Sequence, residues 1–238
     1  MFVGRPHHWQ TWGALAESVR TGENAFRLLH GIDVWEYRST RPDESAIFDR
    51  AMTALTRAAN ASLLGAYDFG RFGTIVDVGG GSGTLLAAIL VAYPRLRGVL
   101  FDQPHVVSAA GEVLERAGVA DRCDVVGGSF FDAVPPGSDA YLLKSIVHDW
   151  EDEQARQILL NCRRALGANG TLLVVERVLA PPNEGPEGKF SDLTMLVAPG
   201  GRERTLEEYD ALLASAGLSL RGATSTGSGL SVIEGVAG

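Results

Sequence analysis

From Gly73 onward the chain alternates short apolar runs with helix-length segments, and this rhythm limits the fold before any single residue is weighed. Thr74–Gly79 (TIVDVG), Arg97–Asp102 (RGVLFD), Arg122–Gly127 (RCDVVG), Ala140–Lys144 (AYLLK) and Thr171–Glu176 (TLLVVE) have the length and composition of buried parallel strands. Amphipathic segments separate them. The clearest is Asp152–Leu166, which places Ala155, Ile158, Leu159, Cys162 and Leu166 on one helical face. Strands alternating with helices predict an α/β fold, a parallel sheet covered by helices on both faces. The end departs from the pattern. A helix over Thr205–Ala216 precedes two strands, Leu218–Ala223 and Leu230–Glu234, joined by the short turn Thr224–Gly229. Strands joined so closely are antiparallel, so the reading is a mostly parallel sheet finished by a hairpin.

The first 73 residues read as a helical lead-in to the domain at 74–238. Apolar residues recur at helical spacing from Pro6 to Tyr67; between Asp43 and Tyr67, Ile47, Phe48, Met52, Leu55, Ala59 and Leu63 share one face. Thr21-Gly22-Glu23 and Arg41-Pro42-Asp43 punctuate the helices, and Ala180–Gly188 reads as a surface loop. The formal charge is −8 and no basic stripe exists, which argues against nucleic-acid and anionic-membrane partners. No apolar run approaches the ~18 residues of a membrane span, and the opening at Met1 does not resemble a signal peptide. Cys123 and Cys162 offer neither a metal-site spacing nor a disulfide framework, as expected of a cytoplasmic protein. Cys162 reads as a core residue, and His7 and His8 as surface residues.

Glycine makes up 29 of the 238 residues, against a usual ~7%. Part of the surplus lies in Val76-Asp77-Val78-Gly79-Gly80-Gly81-Ser82-Gly83-Thr84, between the first strand and a helix. Gly79, Gly81 and Gly83 allow backbone to approach a ligand at a helix N-terminus. Neither the dinucleotide fingerprint nor the P-loop fits this spacing. Asp77 precedes the loop, and Asp102 ends the next strand, where an acid accepts ribose hydroxyls. Acids on both flanks without a phosphate-binding lysine favour an adenosine that carries positive charge, as in S-adenosylmethionine.

VDVGGGSG, FDQPHV, GGSFF, LLKSIVHDWEDE and PGGRERT, in this order, resemble the class I S-adenosylmethionine-dependent O-methyltransferases of the caffeate and acetylserotonin type, in their bacterial natural-product form. The resemblance implies a Rossmann-like fold with a seven-stranded sheet and no metal. It also implies S-adenosylhomocysteine as product and a small aromatic hydroxyl compound as substrate. Gly79, Gly81, Asp102 and Gln103 match the cofactor loop and ribose acid. Ser129 stands where the family has an acid, before Phe130 and Phe131 at the adenine. Lys144 matches the cofactor-site lysine and His148 the general base, with Glu176 and Glu203 as the acids that orient it. Met52, Asp149, Trp150 and Met195 fall at substrate-pocket positions. Family members carry a dimerisation domain ahead of the segment that begins here at Trp12. The expectation is therefore a catalytic part that binds S-adenosylmethionine but is weakened as a homodimer.

A phenol is mostly protonated at neutral pH, so a histidine base with its ring oriented by carboxylates suits O-methylation. Glu203 sits between Arg202 and Arg204, where an ion pair is the rival reading. Other functions remain open: N-methylation, hydroxylation or decarboxylation with a retained cofactor, or a non-catalytic cofactor-binding subunit.

Overall fold

In the computed structural model, which describes residues 4–238, five helices precede the sheet; Met1–Val3, the start of the expected lead-in, lie outside the described residues. They are α1 (Pro6–Gly13), α2 (Leu15–Thr21), α3 (Ala25–His30), α4 (Val34–Ser39) and α5 (Pro42–Ala66). Gly22 closes α2 in the left-handed conformation, and Pro42 opens α5 at its first turn, where its missing N–H costs nothing. The helical face expected on α5 is only partly covered: Leu63 is buried, whereas Leu55 is exposed. The segment is helical throughout, but no described residue covers that part of its apolar face. His7 and His8 are half-buried rather than surface residues. The indole N–H of Trp12 donates to His8 Nε2 (3.3 Å), and His7 packs on Tyr37.

The α/β unit follows as β1 (Thr74–Val78), α6 (Thr84–Ala92), β2 (Arg97–Asp102), α7 (Pro104–Val107), α8 (Ala110–Arg116), β3 (Cys123–Gly127), β4 (Ala140–Lys144), α9 (Asp152–Ala165) and β5 (Thr171–Glu176). Then come α10 (Pro186–Val197), α11 (Leu206–Ser215), β6 (Leu218–Ser225) and β7 (Ser231–Ala237). The sheet order is β3-β2-β1-β4-β5-β7-β6. β7 alone runs opposite to the rest of the sheet, antiparallel to both β5 and β6. The expected hairpin is present, and its second strand enters the sheet. Val232 and Ile233 of β7 are fully buried, while most of β6 is polar and exposed at the edge, bulged between Leu220 and Gly222. The expected loop at 180–188 is shorter than read, because Pro186 starts α10.

Alternation along the strands builds the core. Ile75, Leu142, Leu173 and Val175 enter the layer beneath α5, α6 and α8. Val76, Val78, Tyr141, Leu143, Leu172 and Val174 enter the opposite layer, beneath α9 and α11. Both faces are thus buried, the reason these strands read as unbroken apolar runs. Strand order reverses between β1 and β4, and the crevice at the carboxyl ends of such strands is where α/β sheets bind ligands.

The start of α11 is a full capping box: Thr205 accepts from the Glu208 N–H and Glu208 accepts from the Thr205 N–H. Thr205→Ala should lower stability by about 1 kcal/mol in equilibrium urea unfolding; an unchanged midpoint would show that the cap contributes nothing.

Candidate active site

The carboxyl end of β1 turns directly into the glycine loop. Gly79, Gly81 and Gly83 all take left-handed backbone conformations, with φ of 72°, 61° and 76°, which side chains resist. Gly80 is required for a different reason: a Cβ there would stand 2.6 Å from Asp77 Oδ2. Asp102, at the end of β2, ties the loop down. Its two oxygens accept the N–H groups of Gly81 (2.9 Å) and Gln103 (2.6 Å). Burial raises its pKa, and those two N–H groups work against the rise.

Asp77 lies beneath the loop, buried, with Oδ2 lacking any hydrogen-bond partner among the described residues. Burial pushes its carboxyl up to about 7, opposed by the Lys144 ammonium and reinforced by Asp102. A buried acid in this condition is expensive unless a donor or cation reaches it. Lys144 ends β4, its ammonium 3.4 Å from Thr56 Oγ1 and 3.3 Å from Ser145 Oγ. Burial lowers its pKa, while Glu176 and Asp77 counteract. α5 roofs the loop, with Thr53 Oγ1 3.4 Å from Ser82 Oγ and Asn60 donating to the Thr84 carbonyl (3.4 Å). Phe130 approaches Gly79 from the side. The Ser129 hydroxyl accepts the Phe131 N–H (3.2 Å).

After β4 the backbone passes through Ser145, left-handed at φ 54°, an uncommon state for a residue with a side chain. It then forms the short turn Val147–Asp149 that carries His148. Glu176, at the end of the neighbouring β5, caps this turn: its Oε1 accepts the N–H groups of Ile146 (2.9 Å), Val147 (2.8 Å) and, at 3.4 Å, His148. The His148 ring points Nδ1 inward, 3.0 Å from Glu203 Oε1 and 3.5 Å from Glu176 Oε2. Both glutamates are buried. Two acids on one side keep the proton on Nδ1. Nε2 faces the other way, where Asp149 Oδ1 lies 3.7 Å off. Burial opposes charge on the ring, but Glu176, Asp149 and Glu203 together overcome it, and the imidazolium pKa is pushed up to about 10.

His148, Glu176 and Glu203 bring ligand-type atoms within 4.8 Å of one another, a cluster that no spacing in the sequence announces. Here the carboxylates serve the ring. Glu203 is further fixed by Ser191 Oγ, which donates to Oε1 (2.7 Å), and by its own N–H donating to Asp192 Oδ1 (2.9 Å). The rival reading, an ion pair of Glu203 with its flanking arginines, is not what forms. Arg202 and Arg204 both bind Asp152, and Glu203 turns to the histidine.

Sequence reading missed two residues. Arg204, fully buried, donates to Asp152 Oδ1 and to the carbonyls of Val147, Trp150 and Arg202, fastening the histidine turn. Gly201 passes so close to that turn that a Cβ would lie 2.1 Å from the His148 carbonyl oxygen. The signal for both was the PGGRERT motif, where only Glu203 was given a task. Trp150 meets Phe131 edge-on at 4.8 Å and stacks on Trp35 at 5.6 Å, forming an aromatic wall beside the turn. Met195 is buried in α10, and Met52 is half-buried on α5.

A model of the O-methyltransferase domain family matches residues 12–219. The chain belongs to that family. Among curated relatives, the phenazine O-methyltransferase PhzM of Lysobacter antibioticus is 44% identical over 95% of this chain and 66% of its own length. The mitomycin biosynthesis 6-O-methyltransferase of Streptomyces lavendulae is 39% identical over 96% of this chain and 65% of its own. The chain thus spans about two thirds of the length of these relatives. A solved structure of the O-methyltransferase NcsB1 from neocarzinostatin biosynthesis, with S-adenosylhomocysteine and 1,4-dihydroxy-2-naphthoic acid, superposes with a TM-score of 0.87. It is 36% identical, and the match covers 99% of this chain and 75% of that one.

In this O-methyltransferase domain the His148 ring is expected to titrate near 10 by NMR, against about 6.5 for free histidine. Glu203→Gln should lower that midpoint by a unit or more; a midpoint near 6.5 in the unaltered chain would contradict the array described above.

Proposed function

We propose that this chain transfers a methyl group from S-adenosylmethionine to a phenolic hydroxyl of a small aromatic natural product, with His148 as general base. The observation that carries the reading is the imidazole held through Nδ1 by two buried carboxylates, on the same sheet edge as the glycine loop. When bound, S-adenosylmethionine supplies an electrophilic methyl carbon whose bonding pair returns to sulfur, leaving S-adenosylhomocysteine. The residues present fit it. The unpartnered Oδ2 of Asp77 suits a cationic donor, and Asp102 lies where ribose hydroxyls are accepted. Phe130 beside Gly79 offers a face for the adenine, and the proposal assigns Ser129, Phe131 and Lys144 to the cofactor as well. The reading needs no metal.

The raised pKa of His148 has a purpose here. An imidazole whose conjugate acid sits at about 10 takes a proton from a phenol of pKa near 10 with almost no free-energy cost. An ordinary imidazole would face a deficit of about 5 kcal/mol. The corresponding drawback is that at pH 7 only about one chain in a thousand holds the free ring neutral. The same proposal assigns Trp150, Met52, Met195 and Asp149 to the substrate, and the helical lead-in to one side of its pocket; positioning there does much of the work of an in-line displacement. Homodimerisation belongs to the same proposal, supported by the exposed Trp9, Val19, Leu29 and Phe190 on α1, α2, α3 and α10. So does a cytoplasmic setting, supported by two free buried cysteines.

His148→Ala should cut methyl transfer to a phenol by about 10²–10⁴-fold while calorimetry finds S-adenosylmethionine affinity nearly unchanged. Retained turnover would sink the base assignment. Labelled methyl appearing on an aryl amine but on no phenol would favour N-methylation; label on neither, with product formed, would favour hydroxylation or decarboxylation. For the unaltered chain, kcat/KM should rise about tenfold per pH unit above 7 and level off near 10. A plateau already reached at pH 7 would show that no such base operates.

A further inference from the structure

Two hydroxyls of α10, those of Thr194 and Ser191, are used differently. A serine or threonine inside a helix commonly bonds back to the carbonyl one turn earlier. Thr194 does so, donating to the Phe190 carbonyl at 3.0 Å. Ser191 instead donates out of the helix, to Glu203 Oε1 at 2.7 Å. Two contacts hold α10 in the place from which it reaches. Asn24 donates to the carbonyls of Leu196 and Ala198 (2.8 Å and 3.2 Å), and Phe190 stacks on Trp12 of α1. The oxygen that Ser191 meets is also the one 3.0 Å from His148 Nδ1, so a neutral donor and the ring share one carboxylate oxygen. The other oxygen, Oε2, is buried and has no hydrogen-bond partner among the described residues.

We propose that Ser191 is a positioning residue for the base, acting through Glu203 to limit how strongly that acid favours a charged imidazole. The proposal rests on the methyl-transfer reading and adds a residue to its machinery. The positive end of the Ser191 O–H dipole points at Oε1. It stabilises the carboxylate most when the ring opposite is neutral and the negative charge is uncompensated. An imidazolium already compensates that charge and gains less from the hydroxyl, so removing the hydroxyl favours the charged ring. Loss of orientation acts the other way and is the smaller effect here. Oε2 is available to take over Nδ1, and Glu176 Oε2 stays 3.5 Å from the same nitrogen. The remaining charges around the pair do not depend on Ser191. Glu176 comes from β5 and Asp149 from the histidine turn. Arg177, after β5, and Asp192, on α10, act on Glu203, and the fields of both glutamates reach the Tyr209 phenol of α11. Arg202 and Arg204 are committed to Asp152, and the charges of Lys144 and Arg38 reach Glu176 and Asp149 in turn. Burial pushes the Glu203 carboxyl up, but His148, Ser191 and Arg177 outweigh it and hold the group below its ordinary value. At Glu176 and Asp149 burial wins.

The test is an NMR titration of the His148 ring in the full chain, unaltered and substituted at 191. Ser191→Ala should raise the midpoint by about half a unit, less than the roughly 1–3 units of a full neighbouring charge. Ser191→Thr, which keeps the hydroxyl, should return it to the unaltered value. Ser191→Cys puts a much weaker donor of similar size in the same place and should reproduce the alanine shift, which covers an alanine variant that does not fold. On top of Glu203→Gln, Ser191→Ala should move the midpoint by less, because the hydroxyl acts through the carboxylate. A midpoint that stays or falls when the hydroxyl is lost overturns the proposal. So does an equal rise in the Glu203→Gln background. Labelled methyl transfer to a phenol, followed against pH, separates the two readings. Where transfer occurs, the pH at which kcat/KM levels off should rise with the NMR midpoint. A raised midpoint without transfer to any phenol would retire the activity and keep the tuning of the ring, whereas transfer with an unmoved midpoint would do the reverse.

Discussion

A guanidinium with no exposed surface must place five N–H donors inside the protein, and Arg204 places them on the turn that carries His148. Its partners are the carbonyls of Val147 and Trp150, on either side of the histidine, the Arg202 carbonyl and the Asp152 carboxylate at the head of α9. A single side chain thus fixes the turn, the segment that delivers Glu203 and the start of the following helix. Gly201 is the steric counterpart, since only a residue without a Cβ lets that segment lie against the turn. The orientation of the imidazole depends on this contact before any acid touches the ring.

The second dependence is electrostatic. Two buried carboxylates and a half-buried one around a single imidazole would be costly if left bare, because isolated charges are poorly tolerated in a protein interior. Glu176 spends one oxygen on three backbone N–H groups, and Glu203 takes a hydroxyl donor from Ser191. Those partners hold negative charge beside Nδ1 without neutralising it, so the ring becomes a much stronger base than histidine usually is. Under the glycine loop the logic is inverted. Asp77 has an oxygen with no described partner, and burial leaves it poised near neutrality.

The parallel strands were legible because burial on both faces leaves an unbroken apolar run, as in TLLVVE. The glycine loop was legible because backbone geometry there excludes side chains. The order of the hairpin strands was not, because a short turn fixes direction but not which strand joins the sheet. That choice fell to Val232 and Ile233 against the polar stretch of β6. The motifs single out His148, Glu176 and Glu203, and the fold brings them together, but local sequence could not say which neighbour Glu203 would bind. The answer depended on Asp152, distant in the chain, taking both arginines.

The position of β7 affects how the molecule is assembled. β5, buried on both faces in the finished sheet, acquires its partner on one side only when Ser231–Ala237 arrives. Until then a chain emerging from the ribosome displays an unpaired apolar edge, the kind of surface that recruits other chains. Glu176 sits at the end of that edge. Of the seven strands described, the last in sequence therefore locks the strand that bears a central acid of the site, so completion of this sheet and completion of the site are the same event.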